Sequence, residues 1–144
     1  MIRSPLEPYL FFGGRCEEAL EFYKGALGAE IVFMMRYKEA PEAPPPGMLP
    51  PNFENKVMHA TLRIGASTLM ASDGHEVGAK FAGFSLSLAY PTAAEADKTF
   101  DAVREGGQVV MPMAKTFWSP RFGMATDRFG VMWMISVEDP AARG

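Results

Sequence analysis

The stretch Val57–Ser72, VMHATLRIGASTLMAS, is two strand-like runs around Gly65-Ala66, which reads as a hairpin turn. Before the turn, Met58, Ala60, Leu62 and Ile64 alternate with His59, Thr61 and Arg63. A period of two places alternate residues on opposite faces of a strand. His59, Thr61 and Arg63 therefore share a face, away from the apolar one.

Upstream, Pro8–Phe12 reads as a short buried strand broken by Gly13-Gly14. Cys16–Leu27 is an amphipathic helix with Ala19, Phe22, Tyr23, Ala26 and Leu27 on its apolar stripe. Glu17 and Glu18 suit its first turn and Gly28 its C-terminal cap. Glu30–Tyr37 is rich in strand formers. From Lys38 to Asn55 the prolines 41, 44, 45, 46, 50 and 51 exclude a continued strand or helix. A loop of that length in a compact domain suggests a lid or a dimer arm, the alternative being a solvated insertion with no role.

Downstream the pattern returns. Gly83–Tyr90 alternates as a strand, and Ala93–Glu105 is a helix with Ala96, Thr99, Phe100 and Val103 on one face. Gly106-Gly107 end it. Gln108–Lys115 is a strand, and 121–126 pairs with 131–137 across Asp127-Arg128-Phe129-Gly130. Each half thus reads strand, helix, three strands, an internal βαβββ duplication with module one at about 5–74 and module two at about 83–138. A lone module leaves a strand edge unpaired, so two modules are expected to pair. The fold class is α+β: one 144-residue domain of two paired βαβββ modules, forming a cup-shaped mixed sheet with helices outside.

Bulk properties narrow the function. A net charge of -3, with scattered Lys and Arg, argues against nucleic acid as partner. No apolar run reaches the length of a membrane span, and the N-terminal apolar stretch is too short for a signal peptide. The single cysteine excludes an intramolecular disulfide. A cytoplasmic protein is expected.

At this level the chain resembles the vicinal oxygen chelate (glyoxalase/bleomycin resistance/dioxygenase) superfamily, in its PhnB-like branch. The residues that carry the resemblance are Tyr9-Leu10-Phe11-Phe12 with Gly13-Gly14, Glu18-Ala19-Leu20-Glu21-Phe22-Tyr23, His59-Ala60, Gly106-Gly107, Met111-Pro112, Phe117-Trp118, and Asp127-Arg128-Phe129-Gly130 running into Trp133. A demethylubiquinone methyltransferase label used for some members fits poorly, because no glycine-rich turn follows a first parallel strand.

The resemblance implies four metal-ligand positions, two from each module. They fall on Glu7 or Pro8, His59, Phe84 or Ser85, and Met134. His59 and Glu7 suit Zn, Ni or Fe, whereas a thioether is a poor ligand for such ions, and catalytic zinc usually keeps three protein ligands. The expectation is a small-molecule-binding homodimer without a complete metal site. The alternatives are a metal-dependent lyase, isomerase or dioxygenase, and a non-catalytic interaction module whose cup is filled by its own side chains.

The candidate ligand contacts are His59, Arg63 as an anion anchor, and an apolar lining of Tyr9, Phe11, Trp118 and the Met132/Met134 pair. His59 also suits proton transfer. Cys16 is disfavoured as a nucleophile, because Glu17 and Glu18 oppose a thiolate at that helix end. His75 reads as a loop residue beside the Asp73-Gly74 turn.

Overall fold

The structure is a computed structural model and describes residues 1–139. The chain divides into two compact units, Met1–Ala79 and Lys80–Gly144. The two modules read from the sequence fall one in each.

Unit one runs β1 (Tyr9–Phe11), α1 (Cys16–Leu27), β2 (Glu30–Arg36), a short 3-10 turn at Tyr37–Glu39, β3 (Val57–Ile64) and β4 (Ser67–Ser72). Unit two runs β5 (Leu86–Tyr90), α2 (Ala93–Arg104), β6 (Gln108–Ala114), β7 (Phe122–Thr126) and β8 (Met132–Val137). The sheets have the same topology, β1-β4-β3-β2 and β5-β8-β7-β6. In each, the first strand is parallel to the last and the other pairs are antiparallel. The duplication and the α+β class are therefore realised.

Strand ends contract from the ranges read in the sequence. Pro8 and Phe12 lie outside β1, Tyr37 enters the 3-10 turn, and β5 begins at Leu86 instead of Gly83. The helical stripe of α1 shifts as well. Cys16, Ala19, Leu20 and Tyr23 are buried, while Phe22, Ala26 and Leu27 are only half-buried. The buried residues all fall in the first two turns of the helix, so Leu20 is buried where the second half of the expected stripe is not. Each fully buried side chain of this size contributes about 1.5–3 kcal/mol. α2 buries Ala96, Thr99, Phe100 and Val103, as its periodicity requires.

The hairpin closes at Gly65, which takes φ +57°. Ala60, Leu62 and Ile64 lie on the core face with Leu69 and Ala71 of β4. The strict alternation fails at the start of β3. Val57 is fully buried although it has the parity of His59, because Met58 is an extra residue between the pairs Met35–His59 and Arg36–Val57. A bulge of this kind reverses the facing of everything beyond it.

A second bulge recurs in both units. Val32 is extra between Ile31–Leu62 and Phe33–Thr61, and Val110 between Val109–Ala125 and Met111–Met124. Each turns the next residue, Phe33 or Met111, off the core face and onto the opposite one.

Two buried carboxylates organise the connections. Asp73 Oδ1 accepts from the backbone N–H of Gly14 (2.7 Å) and of Cys16 (2.8 Å), and Oδ2 from that of Val57 (2.8 Å). It therefore caps α1 from outside, where the preceding Arg15 supplies no side-chain cap. Asp127 Oδ1 accepts from the N–H of Phe129 and Val131, and Oδ2 from the Trp133 indole (2.9 Å).

Residues 38–55 do not float. Tyr37 N–H donates to Lys56 O, Lys38 N–H to Glu54 O, and the Tyr37 hydroxyl to Gly74 O at 2.6 Å. Phe53 is buried against Tyr37, with ring centroids 6.3 Å apart. Among the described residues no helix is long and apolar enough to cross a membrane.

Candidate functional site

The face of the first sheet opposite α1 collects most of the residues singled out in the sequence. The register places Tyr9 beside Met70, Met70 beside Thr61, and Met35 beside His59. Tyr9 and Phe11 are stacked at 5.0 Å. Phe33 lies 6.0 Å from the His59 ring, and Tyr9 lies 5.5 Å from it. Phe11 and Phe33 are 55% and 45% exposed, so this face presents a group of accessible aromatic rings around His59.

His59 is engaged at both ring nitrogens. Nδ1 is 3.0 Å from the Tyr9 hydroxyl and Nε2 is 3.2 Å from Thr61 Oγ1. In a neutral imidazole one nitrogen donates and the other accepts, and the two hydroxyls satisfy either assignment. Thr61 was legible as a face-mate of His59, whereas Phe33 was missed. Plain alternation sets Phe33 beside Ile31 on the core face, and only the Val32 bulge turns it round.

Arg63 is on the same face at the far end of β3. Its Nη1 donates to Glu30 Oε2 at 3.1 Å, and both side chains are more than half exposed. Glu7 is half-buried, two residues before β1. His75 is exposed in the loop after β4, as read from the sequence.

In unit two, Trp118 and Met134 come together. They line a depression of about 410 Å³ with Ser87, Ala89, Phe122 and Ser136. Trp118 packs edge-on against Phe122 at 5.4 Å and against Phe117 at 4.7 Å. Met132 is half-buried on the same face. Phe84 is 44% exposed and precedes β5.

The metal positions implied by the resemblance do not make a fitting donor set. Met134 supplies a thioether, Phe84 no donor and Ser85 at most a hydroxyl, so only Glu7 and His59 are ordinary ligands, and both His59 nitrogens are hydrogen-bonded to hydroxyls. Among the described residues no group of three or more His, Cys, Asp and Glu side chains comes together. A zinc-type centre needs three such ligands.

Cys16 is fully buried, and burial pushes its thiol well above the ordinary range, with the negative charges of Asp73 and Glu17 adding to the effect. That protonated thiol is not a nucleophile. At the mouth of α1, Arg36 donates two bonds to Glu17 (2.9 and 2.7 Å), and this hydrogen bonding holds the Glu17 carboxyl below its usual value. Burial, with Asp73 and Tyr9 nearby, raises the Tyr37 phenol.

Comparison with known proteins agrees with this architecture. Residues 6–135 match the model of the glyoxalase/bleomycin resistance protein/dioxygenase superfamily. Protein YjdN of Escherichia coli is 38% identical over 141 residues, covering 92% of this chain and 95% of that protein. The structure of PA1353 from Pseudomonas aeruginosa is 41% identical with a TM-score of 0.82, covering 94% of this chain and 98% of that one. A PhnB protein from Bacillus cereus is 29% identical with a TM-score of 0.76, covering 94% and 100%. A shared family model over both units, and relatives matched along nearly their whole length, lead to one conclusion: the chain belongs to the glyoxalase/bleomycin resistance protein/dioxygenase superfamily, in its PhnB-like branch.

Proposed function

We propose that the chain is a small-molecule-binding protein of the glyoxalase/bleomycin-resistance type, whose ligand lies on the Tyr9–Phe11–His59 face and needs no Zn, Ni or Fe. The observation that carries this reading is the engagement of both His59 nitrogens by Tyr9 and Thr61 on a face of exposed aromatic rings. A flat aromatic group stacks on Phe11 and Phe33. Arg63 anchors an anionic group by exchanging Glu30, since an exposed ion pair is worth only about 0–1 kcal/mol. Trp118 and Met134 supply a second apolar lining in unit two. The protein acts in the cytoplasm as a homodimer, and the dimer reading is supported by exposed Val32 on one sheet and exposed Val109 and Val110 on the other.

The test uses untagged protein and 8-anilinonaphthalene-1-sulfonate, a flat aromatic anion whose emission rises on leaving water. Emission should rise with the wild type and fall with Phe11→Ala and Arg63→Ala, while elemental analysis finds less than stoichiometric Zn, Ni or Fe. Stoichiometric metal that is lost in His59→Ala would overturn the reading in favour of a metal-dependent lyase, isomerase or dioxygenase. Unchanged emission in both variants would remove this face as the binding site.

A further inference from the structure

The face of the second sheet opposite α2 carries a row of methionines, of which the binding reading uses only Met134, as apolar lining. Met111 of β6 is directly opposite Met124 of β7, and Met124 is directly opposite Met134 of β8. Directly paired residues share a face, so three thioethers stand side by side across three neighbouring strands. They are off the core, which on these strands belongs to Ala125, Trp133 and Ile135. Met111 is 41% exposed, and Met124 and Met134 are half-buried.

The row depends on the Val110 bulge. Without it, Met111 keeps the facing of Val109 and turns to the α2 side. Neighbouring strands lie about 4.8 Å apart, so the outer two methionines start about 10 Å from each other with the third midway. A methionine side chain is unbranched, with three rotatable bonds and a polarizable sulfur. Three such chains on adjacent strands are long enough for their sulfurs to converge above Met124 by rotamer changes.

Thioethers reject hard and borderline divalent ions and select soft monovalent ones, Cu(I) foremost. Met134, the residue that spoils a zinc-type centre here, is thus the right kind of donor for a different ion. We infer that Met111, Met124 and Met134 form a soft-metal site that takes one Cu(I), or Ag(I) as its redox-inert equivalent, through three thioether sulfurs. Trp118 lines the depression that contains Met134, so its indole emission is expected to change when the site fills.

The experiment titrates the full chain with Ag(I) in chloride-free buffer, and anaerobically with Cu(I) against a chromophoric Cu(I) chelator. Tryptophan emission, from Trp118 and Trp133 together, is followed alongside in the wild type and in Trp133→Phe, and Zn(II) serves as the comparison ion. The expected result is one equivalent bound, quenching of Trp118, and no competition from Zn(II). Met111→Leu, Met124→Leu and Met134→Leu each weaken binding at least about tenfold, the order of loss that removing even a supporting contact of a metal site brings. Leucine conserves volume, so these variants fold, and circular dichroism verifies it. Met58→Leu in unit one and Cys16→Ala leave binding unchanged. Three outcomes would overturn the inference: equal binding by wild type and the triple leucine variant, loss of binding in Cys16→Ala, or displacement of the bound ion by equimolar Zn(II).

Discussion

Replacing Asp73 removes the acceptor for three backbone N–H groups at once. They belong to Gly14, Cys16 and Val57, at 2.7–2.8 Å from a carboxylate that is 1% exposed. Hydrogen bonds to a charged partner are worth about 1.5–3 kcal/mol each, and an orphaned buried donor forfeits its solvation as well. Three bonds sum to roughly 4.5–9 kcal/mol, and the Gly14 N–H, which is only part-buried, recovers some of this from water. Asp73→Ala is therefore expected to cost about 4 kcal/mol, a large share of the 5–15 kcal/mol that holds an ordinary domain folded. At about 3 °C per kcal/mol for a chain of this size, the melting temperature falls by about 12 °C. Asp73→Asn keeps the shape and one carbonyl oxygen but sets an amide N–H₂ or a single oxygen against three donors, so its cost is about 2–3 kcal/mol. Urea unfolding followed by far-ultraviolet circular dichroism measures both. A cost below about 1 kcal/mol for Asp73→Ala, or a larger cost for the asparagine than for the alanine, would show that the carboxylate does not hold these three segments together.

Two further predictions concern the same framework. The Cys16 thiol, raised by burial and then by Asp73 and Glu17, should resist iodoacetamide at pH 8–9 in the native protein and react once urea unfolds it. Its folded value lies above the unfolded one, so the stability it contributes is complete below about pH 9 and is lost as pH rises beyond that, and Cys16→Ala flattens this alkaline decline. Among the glycines, a Cβ on Gly107 would sit 2.0 Å from the Thr126 carbonyl oxygen, while one on Gly28, at φ +66°, meets nothing within 4 Å. Gly28→Ala should cost about 1 kcal/mol of backbone strain, whereas Gly107→Ala should cost about 3 kcal/mol or more by displacing the turn after β7. Equal melting temperatures for the two would contradict the steric argument.

Much of the architecture was legible because its signals are local. The Val57–Ser72 hairpin, the two helices, the cap at Gly28 and the repeat of βαβββ all follow from alternation, helical spacing and turn residues. The implied ligand positions were also partly legible, since Phe84 offers no donor atom and Met134 only a thioether, which is unsuited to Zn, Ni or Fe. Tyr9, Phe11 and His59 were readable as separate candidates, and Trp118 with Met134 likewise. The loop at residues 38–55 was readable as a loop, but its anchoring through Phe53 and Tyr37 was not.

By itself the sequence determined that His59, Thr61 and Arg63 share a face, because a strand's pleat alternates whatever surrounds it. Only the tertiary structure decided what that face is. The Val32 and Val110 bulges reverse the facing of Phe33 and Met111, and a bulge arises from how two strands pair, so one strand's sequence does not announce it. The Tyr9 hydroxyl meets His59 across a sheet that brings together residues 50 positions apart, and Asp73 caps a helix that begins 57 positions earlier. Such contacts are set by strand register and packing, which are properties of the whole unit. They turn an alternating strand with one histidine into a face of exposed aromatic rings, and a scatter of methionines into a row.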